Sequence, residues 1–179
     1  MRVAPLVLAA TAAATLTACG TSEAPRERVR SGTAGSRGPV VIRPLFAADY
    51  MAMASSIDLY EIRSSQLART RARSAAHRDF ARRMIADHNG TSAQLSLAGR
   101  RLNLLPSATL LPRHQAMMDE LSASGDFDAI YHRQQIAVHT AALKLHGDFA
   151  ARGESPTLRP VAKIAAAIVR RHLDMMRRM

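Results

Sequence analysis

Glu61, His88, His139 and His172 are the side chains of this 179-residue chain best suited to meet at one point and do chemistry there. A carboxylate and three imidazoles suit a single divalent metal such as zinc, iron or copper. Each of the four falls in a different stretch of helical spacing. At about 1.5 Å rise per residue, Glu61 and His88 lie roughly 17 and 20 Å from the turn that joins their helices, and His139 about 20 Å into its own. His172 comes out roughly 27 Å beyond the turn into the last helix, so all four can share a level near mid-bundle. The competing expectation is that they are buried polar residues hydrogen-bonded to one another, as a helical interior requires.

The pattern of a carboxylate-bridged iron pair is missing. That site needs a Glu three residues before a His on two helices, and the residues three before His88, His139 and His172 are Ile85, Ile136 and Val169. A second ligand pattern is His-x-x-Met-Met. It occurs as His114 with Met117 and Met118 and again as His172 with Met175 and Met176, followed by Met179. Imidazole with thioether favours Cu(I), although methionine at helical spacing ordinarily fills core. His77, His132 and His146 have no partner pattern and are expected to face solvent. Asp87 is expected at the surface too, because neighbours on a helix point about 100° apart. Ser64 and Ser65 have no histidine at a nucleophile spacing, and there is no Gly-rich phosphate loop.

Four long helices must position these residues. The first spans about Ala47 to Thr70, with Tyr50, Met53, Ile57, Glu61, Ser64 and Ala68 on one face. The second, capped by Ser74, runs to about Asn103 and aligns Phe80, Met84, His88, Thr91, Leu95, Ala98 and Leu102. Pro106 and Pro112 then break the chain, and Pro112 opens a short helix that stops before Gly125. Asp126 caps the third long helix, which carries Phe127, Tyr131, Gln134, Val138, Ala141, Leu145 and Phe149 inward and ends near Gly153. Ser155-Pro156 opens the fourth, with Leu158, Val161, Ala165, Ile168, His172 and Met175 on its inner face and Pro160 in its first turns. The expected fold is therefore all-α, a ferritin-like four-helix bundle over residues 46–179. Its long connection, containing the short helix, lies between the second and third long helices.

Upstream, Arg2 and the uncharged run Val3 to Leu16 lead into Leu16-Thr17-Ala18-Cys19. The run is too short to span a bilayer. It resembles a bacterial lipoprotein signal, which implies removal of residues 1–18 and lipidation of Cys19, the only cysteine. Gly20 after the cysteine resembles the pattern sent to the outer membrane of a diderm cell. Residues 19–45 read as a lipid-anchored flexible linker. From Gly20 to Pro44 it carries five arginines against two glutamates, a net +3 that would contact anionic headgroups. The helical region has 19 basic residues against 12 acidic. It shows no basic stripe interleaved with aromatics, so nucleic acid is not expected as a partner.

Phe46-Ala-Ala-Asp, Glu61, Phe80-Ala-Arg-Arg-Met-Ile-Ala-Asp-His88, Phe127-Asp128 with Tyr131 and His139, and His172-Leu173 together resemble the bacterial family named domain of unknown function 4142. The resemblance covers residues 46–179. It implies an exported ferritin-like bundle, of a kind labelled outer-membrane protein, and brings no settled activity. The leading reading is a non-catalytic envelope lipoprotein with a binding or structural role and an unidentified protein partner; the alternative is a metal-binding bundle, and behind it stands an enzyme on a degenerate ferritin-like scaffold.

Overall fold

The computed structural model describes residues 45–179. The expected signal peptide, Cys19 and the linker up to residue 44 lie outside the described residues. The chain forms α1 (Ala47–Arg71), α2 (Ala75–Arg100), α3 (Pro112–Ala123), α4 (Phe127–Arg152) and α5 (Leu158–Arg177). No strand occurs among the described residues, where Leu45 and Gly153 form an isolated bridge. Helix α1 packs on α2, α2 on α5, α5 on α4 and α4 on α1, which closes a four-helix ring, and the short α3 rests on α1 and α4. No described helix is long and apolar enough to cross a membrane.

The helix starts follow from their capping residues. Ser74 Oγ accepts the His77 N–H at 3.3 Å, and Asp126 Oδ1 accepts the Ala129 N–H at 3.5 Å. Each satisfies one of the donors that the first turn leaves free. Pro112 stands at the start of α3, where its missing N–H has no bond to lose. Helix α5 begins at Leu158, later than the Ser155-Pro156 signal places it, because Pro156 and Thr157 form a lead-in turn. Ser155 Oγ still accepts the Leu158 N–H at 3.3 Å.

The end of α2 explains the long connection. Asn103 adopts φ 54°, the left-handed conformation that Asn tolerates better than most residues. The Leu104 N–H then reaches back to the Gly99 carbonyl at 2.9 Å and the Asn103 N–H to Arg100 at 3.4 Å, a Schellman stop. A Cβ at Gly99 would lie 2.2 Å from the Leu104 carbonyl oxygen, so only glycine permits this reversal. Two serines on α1 pin the strap that follows: Ser55 Oγ accepts the Ser107 N–H at 3.2 Å and Ser56 Oγ the Leu111 N–H at 2.8 Å.

The apolar core has two ends and a waist. One end gathers Tyr50, Met51, Leu95, Phe149 and Leu158, and the other Phe80, Met84, Leu121, Phe127, Tyr131 and Met176. Ile57, Tyr60, Val138, Ala142 and Val169 form the waist. Burial of each large side chain contributes on the order of 1.5–3 kcal/mol. On α4 the expected Phe127, Tyr131, Gln134, Val138 and Phe149 are buried, and on α5 Leu158, Ala165 and His172, but part of each inner face is displaced by one residue. Ala142 and His146 are buried while Ala141 is exposed, and Ala162 and Val169 are buried while Val161 and Ile168 are half-buried. A one-residue error is about 100° of rotation, and in helices rich in Ala the apolar stripe is broad enough to permit it.

Candidate metal centre

At the waist α2, α4 and α5 each direct one histidine inward. His88, His139 and His172 are each 1% exposed. Their ring centroids are 5.9 Å (88 to 139), 5.5 Å (88 to 172) and 5.4 Å (139 to 172) apart. One ring nitrogen from each lies within 4.8 Å of those of the other two.

A different neighbour fixes each ring from outside. His88 Nδ1 bonds Asp58 Oδ1 of α1 at 2.8 Å, His139 Nδ1 donates to the Gln135 carbonyl at 2.9 Å, and His172 Nε2 bonds Asp87 Oδ2 at 2.8 Å. The opposite nitrogens, His88 Nε2, His139 Nε2 and His172 Nδ1, are buried and have no hydrogen-bond partner. Buried polar atoms are almost always paired, and each unpaired one costs about 1–3 kcal/mol. Three such atoms on rings braced from behind match the way metal-ligating histidines are held, the outer bond setting tautomer and ring orientation.

The expectation that the histidines and Glu61 hydrogen-bond to one another is therefore not what the fold builds, since the three imidazoles bond outward. Glu61 is wholly buried but stands outside the triangle. Its Oε1 lies 3.4 Å from His139 Nδ1, the nitrogen that already faces Gln135, and both carboxylate oxygens lack a hydrogen-bond partner. Of the four residues expected at one level, three converge and the fourth backs one of them.

Charge follows burial. Desolvation lifts the Glu61 carboxyl to about 7, against the opposing influences of His88 and the Gln135 amide. Burial holds His139 well below the ordinary imidazole range, assisted by the other two rings, and holds His172 at about 4 despite Asp87. His88 moves the other way: burial opposes its cation, but the Asp58 hydrogen bond and the charges of Asp58, Glu61 and Asp87 raise its pKa. Two of the three rings are thus neutral at pH 7, the form that binds metal.

Asp58 is the main residue missed by the sequence reading. It is 4% exposed and accepts from Thr91 Oγ1 at 2.9 Å and Ser92 Oγ at 3.0 Å besides holding His88. Its signal was its position one residue after Ile57 and three before Glu61, on the wider apolar face of α1. Asp87 also departs from expectation. It is half-buried, and its carboxylate crosses the α2–α5 seam to His172. With its side chain 34% exposed, it links the buried triangle to solvent.

Two of the histidines expected in solvent are buried. His146 is 4% exposed and bonds the Tyr50 hydroxyl at 3.0 Å, while His77 is 9% exposed beneath Asp128. His132 is half-buried. The two His-x-x-Met-Met patterns stay apart. His114 Nδ1 bonds Ser56 Oγ at 2.6 Å, Met117 and Met118 pad the waist, and Met175 and Met176 pack at the far end of the core. Ser64 and Ser65 are buried in structural bonds, Ser64 Oγ to the Glu61 carbonyl at 3.3 Å and Ser65 Oγ to the Tyr131 hydroxyl at 2.9 Å.

The family model described as "Domain of unknown function (DUF4142)" matches residues 44–179. The chain belongs to this family. Among solved structures, CopM in its Cu(II)-bound form has the same fold, with TM-score 0.65 and 16% identity over 76% of this chain and 96% of that one. The Cu(I)-bound form of CopM gives TM-score 0.62, 16% identity and coverage of 73% and 92%. Its Ag-bound form gives TM-score 0.62, 16% identity and coverage of 75% and 94%. No curated protein matches the chain in sequence.

Proposed function

We propose that the chain is a metal-binding helical bundle that holds one copper ion at His88, His139 and His172. The observation that carries this is the set of three buried, unpartnered ring nitrogens on imidazoles braced by Asp58, the Gln135 carbonyl and Asp87. Imidazole donors suit copper in both oxidation states, and copper heads the divalent affinity order. The likeness to a protein with solved Cu(II)-bound, Cu(I)-bound and Ag-bound forms supports copper over zinc or iron. A bound ion would satisfy all three orphaned nitrogens at once. The ligands are each 1% exposed, so the centre suits holding or handing on an ion better than turning over a substrate.

The test is elemental analysis and Cu(II) paramagnetic resonance on the copper-treated full chain. One equivalent of copper with nitrogen hyperfine coupling is expected, lost in His88→Ala and in His172→Ala. Near-zero copper in all three proteins would sink the reading. The sequence before the bundle supports a cell-envelope location with Cys19 as the lipid anchor, facing the periplasm or exterior. A lipid label on the chain that disappears in Cys19→Ser is the corresponding measurement, and equal labelling of both would refute the anchor.

A further inference from the structure

His77 and His132 form a second imidazole pair, on α2 and α4 away from the waist. His77 Nε2 and His132 Nδ1 share a hydrogen bond at 3.4 Å, with ring centroids 5.6 Å apart and planes inclined by 49°. At the helical rise His77 is about 16 Å from His88, and His132 about 10 Å from His139, so the pair is a separate place on the molecule. His77 is 9% exposed and its other nitrogen, Nδ1, is buried without a hydrogen-bond partner. Asp128 Oδ1 stands 3.7 Å from that nitrogen. The carboxylate is already set in place, because it accepts the backbone N–H groups of Arg73 at 3.1 Å and Ser74 at 2.9 Å at the entry to α2.

Two nitrogens bound tetrahedrally at about 2.0–2.1 Å from one ion stand about 3.3 Å apart. The His77–His132 hydrogen bond already holds the two nitrogens close to that bite, and an ion would take the place of the proton they share. We propose that His77 and His132 form a second, shallow metal site for a tetrahedral ion of the zinc class, with Asp128 as the positioning carboxylate behind His77. The half-buried His132 leaves one side of the site open to water, which would complete the shell. Burial and the neighbouring imidazole lower the pKa of His132, which keeps its lone pair available near neutral pH. The proposal does not depend on copper at the waist, since the two sites share no residue.

Zn(II) titrated calorimetrically into the full chain tests it. Wild type should take up one equivalent more than His132→Ala, and His88→Ala should still show the equivalent that His132→Ala loses. Asp128→Asn keeps an oxygen for the α2 entry but removes the charge behind His77, and should weaken that equivalent by roughly 10–100-fold. Equal zinc uptake by wild type and His132→Ala, with matching far-ultraviolet spectra, would show a hydrogen-bonded pair only and overturn the proposal. Unchanged affinity in Asp128→Asn would remove Asp128 from it. Failure of copper to bind in the earlier test leaves these outcomes intact.

Discussion

Asp58 separates folding from the alignment of the proposed copper site at the waist. Its carboxylate takes three side-chain bonds from α2: His88 Nδ1 at 2.8 Å, Thr91 Oγ1 at 2.9 Å and Ser92 Oγ at 3.0 Å. Asp58→Ala strands three buried or half-buried groups, at about 1–3 kcal/mol for each that water cannot reach. The expected loss is about 3–5 kcal/mol, a large part of the roughly 5–15 kcal/mol that holds a domain folded. Asp58→Asn is the sharper perturbation. Its amide oxygen can keep His88 and Thr91 while its NH2 donates to Ser92, so the packing survives and only the charge is lost. Copper affinity should then fall by about 10–100-fold, the usual effect of weakening a carboxylate behind a ligating histidine. Competition titration against a chromophoric chelator measures the affinity, and urea denaturation of the metal-free protein measures stability. The reasoning is refuted if Asp58→Asn binds copper as tightly as wild type, or if Asp58→Ala unfolds at the wild-type urea midpoint.

Glu61→Gln should stabilise the metal-free protein by about 3 kcal/mol above pH 7. Burial raises that carboxyl from 4.5 to about 7, and the cost of ionising it grows as pH rises between those values. The same variant should keep its copper, because Glu61 lies outside the triangle; loss of copper would make it a ligand. His146 is held at about 4 by burial, so the unfolded chain binds more protons between there and about 6.5, and folding stability falls as pH drops through that window. The contribution is about 3 kcal/mol, and His146→Gln should make the urea midpoint fall less steeply between pH 7 and 4.5, with the slope that remains coming from His139 and His172; an unchanged slope would count against it. His88, with its raised pKa, works in the opposite sense, contributing stability at low pH that is lost as pH rises. Gly99→Ala should cost about 1–3 kcal/mol through overpacking against the Leu104 carbonyl and Met51. A melting temperature equal to wild type would contradict it.

Helix number, order and most ends were legible because they rest on local chemistry: Ser74, Asp126 and Pro112 act where they stand in the chain. The three convergent histidines were legible as well, since distance along a helix sets their level whatever its rotation. The outer partners were not. Whether Asp58 and Asp87 face a neighbour depends on how each helix is turned, and one residue corresponds to about 100°. The same uncertainty displaced part of the inner faces of α4 and α5 and hid the burial of His77 and His146. Glu61 was correctly placed inside, but its side of His139 is a matter of tertiary geometry that spacing along one helix does not contain.

The triangle joins residues far apart in the chain, with His88 on α2, His139 on α4 and His172 on α5, while Asp58 ties α1 to the first of them. An ion held there would close two long loops of chain at once, as a cross-link does, in a bundle that has no cysteine of its own. By mass action, free copper at about 1,000 times its dissociation constant adds about 4 kcal/mol to folding stability. The bundle's lifetime against proteases would then rise and fall with the copper around it, making the amount of protein a record of metal supply.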